Sequence, residues 1–174
     1  MDTTEREGGI AAQFKIGMRR LASGVSLITT GRGDVRGGLI ATAVNSVSAE
    51  PPTLLICVNQ GASAHDLIVT SGTFCVNFLP ASCADIAGQF SSSARKAERF
   101  VTGDWTEMAS GSPALASALA AFDCEVVQTV SYHSHTIFIG LIREVRLSEG
   151  DDLPLIYLDR NFHCGASSKI SLPA

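Results

Sequence analysis

The sequence predicts a mainly β protein whose six or seven antiparallel strands close, or half close, into a barrel with a few short helices. Three observations predict it. First, Phe122, Cys124, Val126, Gln128, Val130 and Tyr132 alternate with Asp123, Glu125, Thr129 and Ser131. Beyond a polar turn at 131–134, Ile137, Ile139, Leu141, Val145 and Leu147 alternate with Glu144, Arg146 and Ser148, so the pair forms a long hairpin. Second, Thr53 to Val58 is apolar on both faces, as in a strand buried from two sides. Third, the helical stretches are short and separated by glycine and proline signals.

In chain order, 1–9 is polar and ends in two glycines, a flexible tail. Ile10, Phe14, Met18 and Leu21 recur at helical spacing, and Gly24 is placed to end that helix. Val25 to Thr30 is rich in β-branched residues and reads as a strand. Gly31-Arg32-Gly33-Asp34 is a hairpin turn; a dinucleotide loop would need a helix directly after its glycines, and strand follows here. From Gly38 a strand leads into the small-residue run Ala41, Thr42, Ala43, Val44, Asn45 and Ser46, read as a polar turn. Pro51-Pro52 ends it and opens the apolar strand Thr53–Val58.

Ser63 is a candidate N-cap for a short helix through Ser71, with Gly72 after it. Thr73 to Leu79 is a strand stopped by Pro80, and Ser82 could cap a second short helix over 83–89. The polar stretch Phe90 to Asp104 is expected to be a mobile loop, with the only tryptophan, Trp105, just beyond. Leu115 to Ala121 fits a helical turn or a strand approach equally. Leu155 to Leu158 supplies the last strand.

Composition bounds the function. The 174 residues are 45% hydrophobic and 17% charged, enough for one domain, expected over 10–174. A net charge of -4 without a basic stripe argues against a nucleic-acid partner. Five cysteines without a pairing pattern point to free thiols in a reducing cytoplasm. No leader and no apolar run of about 18 residues is seen, so no membrane association is expected.

Among the chemical candidates, His133 and His135 could share a strand face, but no third ligand sits at metal-site spacing. No G-x-S-x-G elbow is present. Asp151-Asp152 reads as a solvated turn. The small-residue run is more informative. Side chains this small let a flat ligand lie on the backbone, where N–H and C=O groups can bond its edge; an unliganded core element fits the run as well.

Seven blocks in order carry a resemblance. They are Phe14 with Leu21 to Thr30; Gly38 to Pro52; Phe74 to Leu79; Gln89-Phe90-Ser91; Gly111-Ser112-Pro113 with Cys124; His135 to Gly140; and Pro154 to Tyr157. Together they resemble the short-chain flavin reductases, the small components of two-component flavin-dependent monooxygenases. The resemblance implies a split antiparallel β-barrel of the Greek-key, FMN-binding type, and a homodimer. It also implies hydride transfer from NADH or NADPH to FMN or FAD, with reduced flavin passing to a separate oxygenase component.

By that resemblance, Ala41 to Ser46 would lie along the isoalloxazine and ribityl chain. Cys57, Val58 and Asn59, with the loop to Ser63, would add backbone contacts. Phe90 and Ser91 would wall the phosphate end, with Arg95 neutralising charge there. His135 would stand beside the nicotinamide as the catalytic residue, with Phe162 near it. The chain differs from the family at His133-Ser134, where Gly-Asp is common, at Ile40, where threonine is frequent, and at Phe162, where tyrosine often stands. Other readings are a flavin-binding carrier without reductase turnover and a barrel interaction subunit that binds no flavin.

Overall fold

The computed structural model describes residues 9–165. Helix α1 (Ile10–Met18) leads into β1 (Ser23–Gly24), β2 (Ser26–Arg32), β3 (Val35–Ala41), β4 (Val44–Ala49) and β5 (Pro52–Asn59). Next come α2 (His65–Ser71), β6 (Thr73–Phe78), α3 (Ala84–Ser91), β7 (Trp105–Glu107) and β8 (Pro113–Leu115). The hairpin β9 (Ala120–Tyr132) and β10 (His135–Leu147) follows, then β11 (Leu155–Leu158) and β12 (Asn161–Cys164).

Seven strands make one antiparallel sheet in the order β3-β2-β6-β9-β10-β5-β4. Its two edge strands, β3 and β4, are joined in the chain by Thr42 and Ala43 alone. Ala41 and Val44 are therefore at most roughly 11 Å apart. Laid flat, seven strands would hold those edges roughly 29 Å apart. The sheet must roll until its edges meet at this corner. No ladder joins β3 to β4 among the described residues; instead the Cys57 N–H donates to the Ala43 carbonyl at 3.1 Å. The product is a split barrel, as expected.

Two apolar clusters lie on the two sides of the sheet. Ile28, Ile56, Phe74 and Phe138 fill the barrel with Ile68 of α2, while Leu27, Leu79, Ala87, Phe90 and Leu155 pack outside it. Adjacent residues Leu27 and Ile28 of β2 are both fully buried, as are Phe74 to Asn77 of β6, so these two strands are covered on both faces. In β5 Leu54, Ile56 and Val58 on one face are buried, whereas on the other face Thr53 is buried and Leu55 and Cys57 are half-buried. The two-sided burial expected for Thr53–Val58 therefore holds in full for one face only.

Polar groups inside are matched. Fully buried Asn77 donates to the Leu27 carbonyl and the Thr29 hydroxyl, each at 3.1 Å, and accepts from the Leu115 N–H at 2.8 Å. One amide thus ties β6, β2 and β8. In β10 the register slips at Gly140, whose missing side chain makes room for the Phe74 ring. A Cβ there would stand 2.5 Å from Phe74 and 2.8 Å from the Cys124 Cβ.

Several local expectations change. Helix α1 ends with Arg19 as its cap, not at Gly24, which lies in β1 paired with β11. The turn expected after Ala43 is mostly strand β4. Helix α2 is capped at Ala64, not Ser63, whose hydroxyl instead accepts from Arg99. Ser82 sits inside a 3₁₀ turn (Ala81–Cys83) instead of capping α3. Leu115–Ala121 divides into the end of β8, a turn, and the start of β9. The tail expected at 1–9 lies outside the described residues except for Gly9. No helix among the described residues is long and apolar enough to cross a membrane.

Two outcomes are expected. Gly140→Ala should lower unfolding stability by about 1–3 kcal/mol in urea titration, because Phe74 and Cys124 would have to shift. Burial, reinforced by Asp123, pushes the Cys75 thiol from 9.0 to about 12. A folded value above the unfolded one means stability complete below pH 9.0 and lost as pH rises towards about 12. The thermal midpoint should fall across that window, and fall less in Cys75→Ala; equal falls would exclude Cys75 as a source.

Candidate functional site

The split in the barrel opens a cleft of about 880 Å³. One wall is the end of β3 and its link to β4, with Gly38, Ala41, Thr42 and Ala43 on the cleft. The floor is the end of β5, Cys57-Val58-Asn59, and the loop through Gly61 to Ser63. Opposite stand Phe90 and Ser91 at the end of α3, then Ser93, Lys96 and Arg99. His135 opens β10 across the sheet from Asn59, and Tyr157 and Phe162 come from the hairpin β11–β12.

Most of the residues proposed from sequence therefore meet: Ala41, Thr42, Ala43, Cys57, Val58, Asn59, Ser63, Phe90, Ser91, His135 and Phe162 all line this cleft. Val44 and Asn45 instead line an adjoining cavity of about 620 Å³, which shares Thr42 and Ala43 with the cleft. Ser46 lines neither. Arg95 is turned away, paired with Asp85 at 3.0 Å and Glu98 at 2.6 Å. Hydrogen bonds from Arg95 and Gln89 hold the Asp85 carboxyl below the usual carboxylate range.

The cleft's cations are Lys96 and Arg99, neither of which sequence reasoning had chosen. The signal was the run 95–99, with three basic residues, but strand and helix periodicity do not say which of them faces inward. Tyr157 was also missed. Its ring centroid stands 5.8 Å from that of Phe162, an edge-on aromatic pair on the cleft.

His135 is exposed, with Nδ1 3.0 Å from the Ser134 hydroxyl and its carbonyl accepting from Gln60 Nε2 at 3.4 Å. Its neighbour His133 sits in the turn with φ 48°, so the two rings do not share a strand face. Below the rim, His65 bonds Thr136 at 3.0 Å and packs on Phe138, anchoring α2 to β10. No group of three or more metal-ligating side chains occurs among the described residues.

The segment expected to be mobile is fastened to the barrel. Phe90, Phe100 and Trp105 form an aromatic cluster, and the Trp105 indole donates to the Thr102 carbonyl at 2.8 Å. Gln89 and Thr102 exchange two further bonds, at 2.9 and 3.0 Å. The Phe90 ring in turn rests on Gly38 of β3, where a Cβ would approach it to 2.7 Å. This cleft can hold a flat aromatic ligand against the backbone of β3, face it with aromatic rings and a histidine, and place an anionic tail near Lys96 and Arg99.

Residues 18–166 match the family described as the flavin reductase like domain. A protein of Pseudomonas syringae named FMN reductase (NADH) RutF is 41% identical over 150 residues, covering 86% of this chain and 84% of its own. The protein of the same name from Stutzerimonas stutzeri is 38% identical over 159 residues, 91% of each chain. Among solved structures, the NADH:FAD oxidoreductase of Streptomyces globisporus, in complex with NAD and FAD fragments, is similar with a TM-score of 0.82 and 28% identity. It covers 91% of this chain and 94% of that one. The styrene monooxygenase flavin reductase of Pseudomonas putida gives 0.79 and 26%, over 90% of this chain and 99% of that one.

Gly38→Ala should push Phe90 against Phe100 and Trp105, at a cost of about 1–3 kcal/mol. The expected readout is a shifted Trp105 emission together with a lower thermal midpoint; unchanged emission would mean that Phe90 has room to move elsewhere.

Proposed function

The chain belongs to the flavin reductase like domain family, and from that membership we propose that it is an NADH-dependent FMN reductase passing reduced flavin to a separate oxygenase. The observation that carries the reading is the cleft itself, where a bare-backbone ledge faces His135 and an aromatic pair, with cations at one end. These residues fit a flavin. Ala41 to Ala43 present no bulk to a ring system, and Lys96 with Ser93 nearby suits a phosphate. About 880 Å³ leaves space for a second flat ring beside the first.

Bound flavin would supply the acceptor for a hydride, two electrons moving together with one hydrogen from the reduced nicotinamide, while solvent supplies the second proton. The protein's part is placement. Rings stacked at near-attack distance matter more here than an acid or base. Thr42, Ala43 and the β5 end support one ring, Tyr157 and Phe162 flank the other, and His135 orients the donor at the cleft mouth. The FMN and NADH preferences follow the names of the bacterial relatives; FAD and NADPH are the alternatives to be tried beside them.

We also propose that the chain works as a homodimer in the cytoplasm. Ile10, Phe14, Met18 and Leu21 form the apolar stripe of α1 and its exit, and all are exposed, so a second copy is a suitable cover. The five free cysteines suit a reducing compartment.

The test is the loss of reduced-nicotinamide absorbance with NADH or NADPH, with and without FMN or FAD. Turnover with NADH that depends on added FMN is expected. Flavin binding without nicotinamide oxidation would favour a carrier instead. His135→Ala should slow single-turnover flavin reduction about 10²-fold while leaving flavin affinity within a few-fold; an unchanged rate would remove His135 from the site. Light scattering should give twice the chain mass.

A further inference from the structure

Arg99 reaches the cleft from the loop after α3, and no carboxylate pairs with it among the described residues. It makes five hydrogen bonds, all to the protein itself. Nε donates to the Gln89 carbonyl at 3.3 Å. Nη1 donates to the Gly38 carbonyl at 3.4 Å and the Ser63 hydroxyl at 3.0 Å. Nη2 donates to the Phe90 and Ser92 carbonyls, each at 3.2 Å.

A guanidinium has five N–H donors. Arg99 therefore has none to spare for a ligand. Gln89 and Phe90 are among the last residues of α3, whose carbonyls have no partner within the helix. Arg99 satisfies them and ties that helix end to β3 through Gly38 and to the β5–α2 loop through Ser63. Those three segments are walls of the cleft. The guanidinium carbon also stands 5.5 Å from the Phe90 ring centroid, over the ring that rests on Gly38. By contrast Lys96 forms no ion pair among the described residues.

We propose that Arg99 is a positioning residue, a strut that sets the width of the cleft by bonding three of its walls, while Lys96 and Ser93 are left to contact a ligand phosphate. This rests on the flavin reading of the cleft. A strut and a phosphate ligand differ in what they require. A phosphate ligand needs positive charge and acts only on flavins that carry phosphate. A strut needs the planar five-donor fork, which lysine lacks, and acts on any flavin that uses the cleft.

The experiment is fluorescence titration of the full chain with FMN and with riboflavin, which has no phosphate. Arg99→Lys and Arg99→Met should both weaken FMN and riboflavin at least about tenfold and by similar factors. Lys96→Met should weaken FMN while sparing riboflavin. Restoration of FMN affinity by Arg99→Lys, or loss confined to FMN, would overturn the strut and make Arg99 a phosphate ligand. Should neither Arg99 variant fold, Ser63→Ala decides, since it removes one acceptor of the strut. Equal weakening of both flavins supports the proposal, and no effect or an FMN-only effect rejects it. Wild-type protein that binds neither flavin would instead overturn the flavin site, and this inference with it.

Discussion

The two-residue link between β3 and β4 is the constraint on which the rest of the structure depends. These strands lie at opposite edges of a seven-stranded sheet, yet Thr42 and Ala43 alone join them. Strand spacing and chain reach cannot both be met by a flat sheet, so the sheet coils. The barrel stays split there because β3 and β4 do not pair. The unpaired corner is where main-chain groups can face a ligand, so one covalent fact produces both the architecture and the place of its cleft.

Coiling brings strands close, and two glycines absorb the crowding. Gly140 accepts the Phe74 ring inside the barrel, and Gly38 accepts the Phe90 ring outside it. The second contact also shapes the cleft, because Phe90 is at once a core residue and one of its walls. Stability and the shape of the cleft are therefore coupled through the same ring. Polar groups obey the same economy of space: among the described residues no buried side-chain nitrogen or oxygen lacks a partner.

The chemistry suits so sparse a site. Hydride transfer between stacked rings asks for alignment and excluded bulk, and in the function proposed above a backbone ledge and aromatic flanks supply them. The chain does not build a nucleotide-binding fold for this. It builds a surface of the right shape at a seam, and fixes the far side of that surface by hydrogen bonds from the loop after α3. Two arginines four residues apart divide that labour, Arg95 to carboxylates on the outside and Arg99 to carbonyls within.

Much of this was legible in the amino-acid sequence. Period-two alternation located the long hairpin and its turn, because a strand must send alternate side chains to core and solvent. Gly72 in the left-handed region and the stop at Pro80 followed from backbone geometry that few other residues tolerate. The run of small residues marked the ledge, and ordered blocks of resemblance pointed to the family. Only the tertiary structure decided which residues face the cleft. Ala41 to Ala43 do and Ser46 does not, because the chain turns the corner between them. Arg99 faces inward and Arg95 outward, because a helix end and a 3₁₀ turn rotate two similar side chains apart. Local pattern is set by neighbours along the chain, whereas this cleft is set by residues as far apart in the chain as Gly38 and Phe162. Such distances enter only when the sheet closes on itself.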